Sequence, residues 1–113
     1  MNYYAIPGIP IKAGLDMQTL SEIVSDYYLV PFYKVLGASR LKDIVKARHM
    51  FCYMARVECR MKLTQIANYI NRDHTSVMHG VKQIENYTSC DQSVVFELDE
   101  IRCIINKERY KKD

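Results

Sequence analysis

The sequence predicts an all-α, compact multi-helix domain containing a helix-turn-helix, and three observations predict it. Glycine and proline are scarce, 4 and 3 in 113 residues, too few for a strand-and-turn protein, and tryptophan is absent. Apolar residues recur at three-and-four spacing through most of the chain. Two short amphipathic stretches are separated only by Asn71-Arg72-Asp73, the spacing of a tightly joined helix pair. The length allows one domain, because separate cores rarely form below roughly 50 residues each. Hydrophobic types at 49% against charged types at 26% can fill a core and argue against disorder.

Residues 1–15 hold Pro7, Gly8, Pro10 and Gly14 and read as an extended N-terminal arm, leaving 16–113 as the folded domain. Asp16 suits the N-cap of a helix whose stripe is Leu20, Ile23, Val24 and Tyr27 and which ends before Pro31. Pro31 fits the first turn of a short helix through Leu36, and Gly37 is expected in the left-handed conformation that stops it. After the loop Ala38 to Arg40, a long helix is expected over Leu41 to Arg60. Counting 100° per residue places Ile44, Ala47, Phe51, Met54 and Ala55 on one arc. Lys42, Lys46, His49, Tyr53, Arg56 and Arg60 fall on the opposite arc, so one face packs and the other is cationic. Glu58 falls on the apolar side, which implies that this side has left the core by the last turn. Leu63, Ile66, Ala67 and Ile70 form a short stripe before the turn. Asp73 can then cap a helix from His74 to about Tyr87, by accepting from the N–H of Thr75 or Ser76. Its buried side is Val77, Val81 and Ile84, and Thr75, His79, Lys82 and Asn86 face out. A last helix over Ser93 to Lys107 packs through Val94, Leu98, Ile101 and Ile105.

The formal charge of +3 conceals a pattern: residues 34–82 carry ten Lys/Arg against Asp43, Glu58 and Asp73, while both flanking pieces are mildly acidic. A basic centre of this kind suits a face that meets a polyanion, and it equally suits a solvated helix surface. The longest uncharged stretch, Met1 to Ile11, is far short of the roughly 20 apolar residues of a membrane span. The cysteines at 52, 59, 90 and 103 form no C-x-x-C and read as reduced thiols in a cytoplasmic protein. Three His and four Cys yield no zinc-ligand spacing, and G-x-x-x-x-G-K-(S/T), G-x-S-x-G and H-E-x-x-H are lacking. No metal site, nucleotide cofactor or catalytic residue is therefore expected.

Specific recognition is best placed at Asp73, His74 and Thr75, because a helix entering the major groove end-on shows its first-turn side chains to base edges. Asp73 can accept from a cytosine amino group, His74 can donate or accept, and Thr75 offers a hydroxyl and a methyl. The plainer alternative makes them a cap and two solvated first-turn residues. Arg40, in the loop, can enter a narrow minor groove. The cations of the long helix suit phosphate contact, which gives affinity without reading sequence.

The run Arg72-Asp73-His74-Thr75-Ser76-Val77-Met78-His79, with Ile84 five residues on, resembles the signature R-D-H-T-(T/S)-V-x-H-x-x-x-x-I. This is the mark of the C-terminal DNA-binding domain of the DnaA family of bacterial replication initiators. Upstream, Ile23 to Tyr28 is similar to the family's V-A-x-Y-Y helix, and Ala47-Arg48-His49-Met50 stands where the family has P-R-Q-x. The resemblance covers about residues 18 to 107 and implies a Trp-repressor-like helix-turn-helix. It implies base contacts at Arg40, Asp73, His74 and Thr75, and phosphate contacts at Arg48, His49 (usually Gln), Arg56, Ser76 and Lys82. The chain departs from the family at Thr64 and Ala47, each in place of a Pro. It also departs at Ile70-Asn71, in place of a Gly pair in a turn one residue longer, and in a less basic loop before Arg40. The family's ATPase domain is absent, so ATP hydrolysis is not expected.

The expected function is non-enzymatic binding of double-stranded DNA at a DnaA-box-like site, in replication origin recognition or its regulation. A phage or mobile-element origin fits as its home, and replication proteins fit as further partners. The alternative is a protein-interaction adaptor or transcriptional regulator that kept the fold without initiator-box specificity.

Overall fold

A computed structural model describes residues 15–111, with side chains through 109; the arm expected at the N-terminus lies almost wholly outside the described residues. Six α-helices follow one another: α1 Met17–Tyr28, α2 Phe32–Leu36, α3 Lys42–Tyr53, α4 Leu63–Ile70, α5 His74–Thr88 and α6 Gln92–Lys111. No strand occurs among the described residues.

Leu15, the first described residue, is buried. Asp16 caps α1, its Oδ1 accepting from Thr19 N at 2.8 Å. Leu20, Ile23 and Val24 turn inward, as their spacing requires. The helix stops at Leu29, which takes a left-handed φ of 58°. Pro31 is the N-cap of α2.

Gly37 departs from expectation. Its φ of −83° and ψ of −166° are extended. An added Cβ would meet nothing nearer than Lys34 O at 3.6 Å, so the position does not demand glycine. The reason is that α2 closes with the Gly37 N–H bonded to Lys34 O at 3.2 Å, and the following chain is drawn out by side chains gripping its carbonyls. Left-handed backbone falls instead on Leu29, Arg60 and Asn71.

Helical winding runs on from α3 through Glu58, but Met54–Glu58 is a π segment, closed by bonds such as Cys59 N to Met54 O at 2.9 Å. The apolar arc lies as expected, with Ile44, Ala47, Phe51, Met54 and Ala55 all buried. Glu58 has not left the protein: its carboxylate takes Arg102 Nε at 2.6 Å and its carbonyl takes Arg109 Nη2 at 2.6 Å. Neutralisation by α6 explains how an acid stays half-buried on an apolar face.

The opposite arc of α3 is not a continuous cationic face either. α5 crosses it at Gly80, where a Cβ would lie 3.3 Å from both Cys52 Cβ and His49 Cδ2. His49 and Tyr53 are consequently half-buried, and Lys46 Nζ pairs with Glu97 at 3.3 Å; Lys42, Arg56 and Arg60 remain exposed.

The core is one cluster around Phe51, which meets Phe32 edge-on at 5.0 Å and stacks on Tyr69 at 5.8 Å. Ile66 and Ile70 of α4, Val77 and Ile84 of α5, and Val94, Leu98, Ile101 and Ile105 of α6 complete it. α4 and α5 form a helix-turn-helix. Asn71 closes α4 at φ 58°, which an Asn tolerates better than most residues. Asp73 opens α5 by accepting from Ser76 N at 2.9 Å.

Candidate nucleic-acid interface

Between the loop of residues 37–40, the middle of α3 and the start of α5 lies a cleft of about 680 Å³. The loop contributes Ala38, Ser39 and Arg40, and α3 contributes Val45, Arg48, His49 and Cys52. The helix-turn-helix contributes Ile70, Arg72, Asp73, Thr75, Ser76 and His79. Six of the nine residues singled out in the sequence thus share one concave surface: Arg40, Arg48, His49, Asp73, Thr75 and Ser76.

His74 is the first residue of α5, exposed beside the cleft and near enough to Asp73 to favour its anionic form. Lys82 lies two turns further along α5 and is exposed. Arg56 is not in the cleft; it sits on the π segment with Nη1 donating to Met61 O at 3.0 Å, just before α4.

Capping explains why the trio at 73–75 is presented together. The Asp73 side chain holds the first turn of α5 in place, and Asp73, His74, Thr75 and Ser76 are all exposed while Val77 is buried. Bonds from the Ser76 backbone N–H and then its hydroxyl, with the His74 charge, hold the Asp73 carboxyl below the usual carboxylate range.

Arg48 reaches away from α3 to the loop. Its Nε donates to Val35 O at 2.9 Å, and its Nη2 to Gly37 O at 3.1 Å and Ser39 O at 3.2 Å. Three of five guanidinium donors are thereby committed to backbone. Burial first, and the neighbouring Arg72 second, hold its pKa below the ordinary arginine value.

His49 meets the edge of the His79 ring at a centroid distance of 5.6 Å. Burial, then His79, Arg48 and Arg72, push its pKa down to about 4, so at neutral pH it is an uncharged donor and acceptor rather than a cation. That is the hydrogen-bonding character of an amide such as Gln. The Cys52 thiol beneath is pushed up to about 12 by burial and is not a thiolate. Among the described residues no group of three or more His, Cys, Asp or Glu could hold a metal ion, and no helix is long and apolar enough to cross a membrane.

Two cleft residues escaped the sequence reading. Arg72 was visible only as the first letter of a motif, and His79 as part of an outward stripe. Nothing local could have paired Arg72 with a carbonyl 35 residues away.

The model of the bacterial dnaA protein helix-turn-helix matches residues 17–84. The chain is 31% identical over 103 residues to the chromosomal replication initiator protein DnaA of Enterococcus faecalis, covering 90% of this chain and 23% of that protein. The proteins of the same name from Mesorhizobium japonicum and Ruegeria pomeroyi are each 31% identical, over 81% of this chain and 19% and 20% of theirs. The chain thus spans about a fifth of the length of these relatives.

Proposed function

Since the chain belongs to the bacterial dnaA protein helix-turn-helix family, we propose that it binds double-stranded DNA in replication initiation or its regulation. The site is a DnaA-box-like duplex, read without nucleotide turnover in the cytoplasm. The observation that carries this reading is the shared cleft. The exposed first turn of α5, with Asp73, His74 and Thr75, adjoins a loop bearing Arg40 and a wall bearing Arg48, His49 and Ser76.

A helix inserted end-on would bring 73–75 to base edges in the major groove, and Arg40 would lie toward the adjacent minor groove. Ser76, neutral His49, the two uncommitted donors of Arg48, and exposed Lys82 and Arg56 would meet phosphates and set register.

The test is a titration of a DnaA-box duplex and a scrambled duplex at several salt concentrations. Three cationic phosphate contacts, at Arg48, Arg56 and Lys82, give a log–log salt slope of roughly −3 on both duplexes. His74→Ala or Thr75→Ala is expected to cost about 1 to 3 kcal/mol on the box and little on the scramble. Equal affinity of the unaltered protein for box and scramble refutes sequence reading.

A further inference from the structure

The turn between α4 and α5 carries a side chain that serves another part of the molecule. Arg72 Nη2 donates to the carbonyl of Gly37, the oxygen that also takes Arg48 Nη2. With Val35 and Ser39 held by Arg48 as well, alternate carbonyls leading to Arg40 are gripped from two sides, one on α3 and one on the helix-turn-helix.

This is a costly way to fasten a loop. Two guanidinium groups converge on one oxygen, and neither makes an ion pair with a carboxylate among the described residues. Arg72 Nη1 is buried with no hydrogen-bond partner among them. Like charges brought together, and a buried charged donor left unsatisfied, both oppose folding. Arg48 alone already reaches all three of these carbonyls. The second arginine adds a rigid link between the loop and the first residues of α5, because Arg72 directly precedes Asp73 and its main chain is fixed by its N–H to Ala67 O at 2.9 Å.

We propose that Arg72 is a positioning residue which, through Gly37 O, ties the loop bearing Arg40 to the helix-turn-helix, so that the minor-groove and major-groove readers are presented at one fixed spacing. The proposal rests on the DNA-binding reading for its purpose, while the tie itself is a property of the free protein.

The tie is tested without DNA by 15N relaxation of the Ser39 and Arg40 amides. Arg72→Gln should lower their order parameters from about 0.85 toward 0.6 or below, and Arg72→Lys, a point charge without the planar fork, should fall between. Its purpose is tested by a double-mutant cycle on the box duplex. Arg40→Ala should weaken binding about tenfold in the wild-type background and have little effect beside Arg72→Gln.

Rigid loop amides in Arg72→Gln, or an Arg40→Ala loss that is the same in both backgrounds, overturns the proposal. If Arg72→Gln does not fold, Arg72→Lys is read by the same two measurements. A wild-type protein that binds no duplex specifically, yet whose loop loosens in the variants, refutes the DNA reading and upholds the tie.

Discussion

His49 shows how one residue's charge state is set by what surrounds it. In the unfolded chain its imidazole titrates near the ordinary value of 6.5, whereas in the fold burial and three neighbouring groups lower it to about 4. The unfolded state therefore takes up a proton that the folded state refuses across that interval. Stability contributed by neutral His49 is present above the unfolded value and is lost as pH falls toward the folded one. Asp73, held low first by the Ser76 N–H, and Asp91, held low first by the Ser93 hydroxyl, lose their contribution only below their usual value of 3.8, so the two windows are separate. Thermal unfolding should accordingly show a decline in Tm between about pH 7 and pH 5 that His49→Gln flattens. An unchanged decline in the variant means that the imidazole is not the titrating group.

Helix against helix, α3 and α5 approach closely at Gly80, and the approach is what creates the rear of the cleft. A Cβ there would stand 3.3 Å from Cys52 Cβ and 3.4 Å from His49 Cα, tighter than ordinary side-chain contact. For Gly80→Ala the strain is offset by about 1 kcal/mol of improved helix propensity. The branched Gly80→Val keeps only about 0.3 kcal/mol of that offset and should lose about 1 to 3 kcal/mol in urea unfolding, through overpacking. A Val variant of unaltered stability contradicts the close crossing. The π segment after α3 belongs to the same scale. It carries the chain to the left-handed Arg60, two residues before the Lys62 N-cap of α4.

Across the whole molecule, α6 binds the acidic end of the chain back onto the rest. Tyr27 donates to Glu100 at 2.6 Å, and Glu97 accepts both Tyr28 OH at 2.9 Å and Lys46 Nζ at 3.3 Å. Burial, followed by these carboxylates, raises the pKa of both tyrosines. The basic centre of the chain is thereby divided: Lys46 is neutralised by α6, while Arg40, Arg48 and Arg72 collect at the cleft. Beneath the ion pairs, α6 contributes fully buried Ile101 and Ile105. Ile101→Ala is expected to cost about 2 to 5 kcal/mol of stability. Because Ile101 is not among the residues lining the cleft, binding measured on the folded fraction should be unchanged. A loss of affinity beyond the loss of folded protein would show that α6 shapes the site as well as holding it.

The helices and the core were legible in the residues alone, since periodicity, Asp16 and Asp73 as caps, and the short Asn71-Arg72-Asp73 turn are local signals governed by backbone hydrogen bonding. The presentation of positions 73–75 was legible for the same reason. Tertiary structure decided the rest: an extended Gly37, a neutral His49 on a face read as cationic, Glu58 retained by α6, and Arg48 and Arg72 joined on one carbonyl. Each depends on groups far apart in sequence whose charge and desolvation act only once packing brings them together, so no local pattern records them.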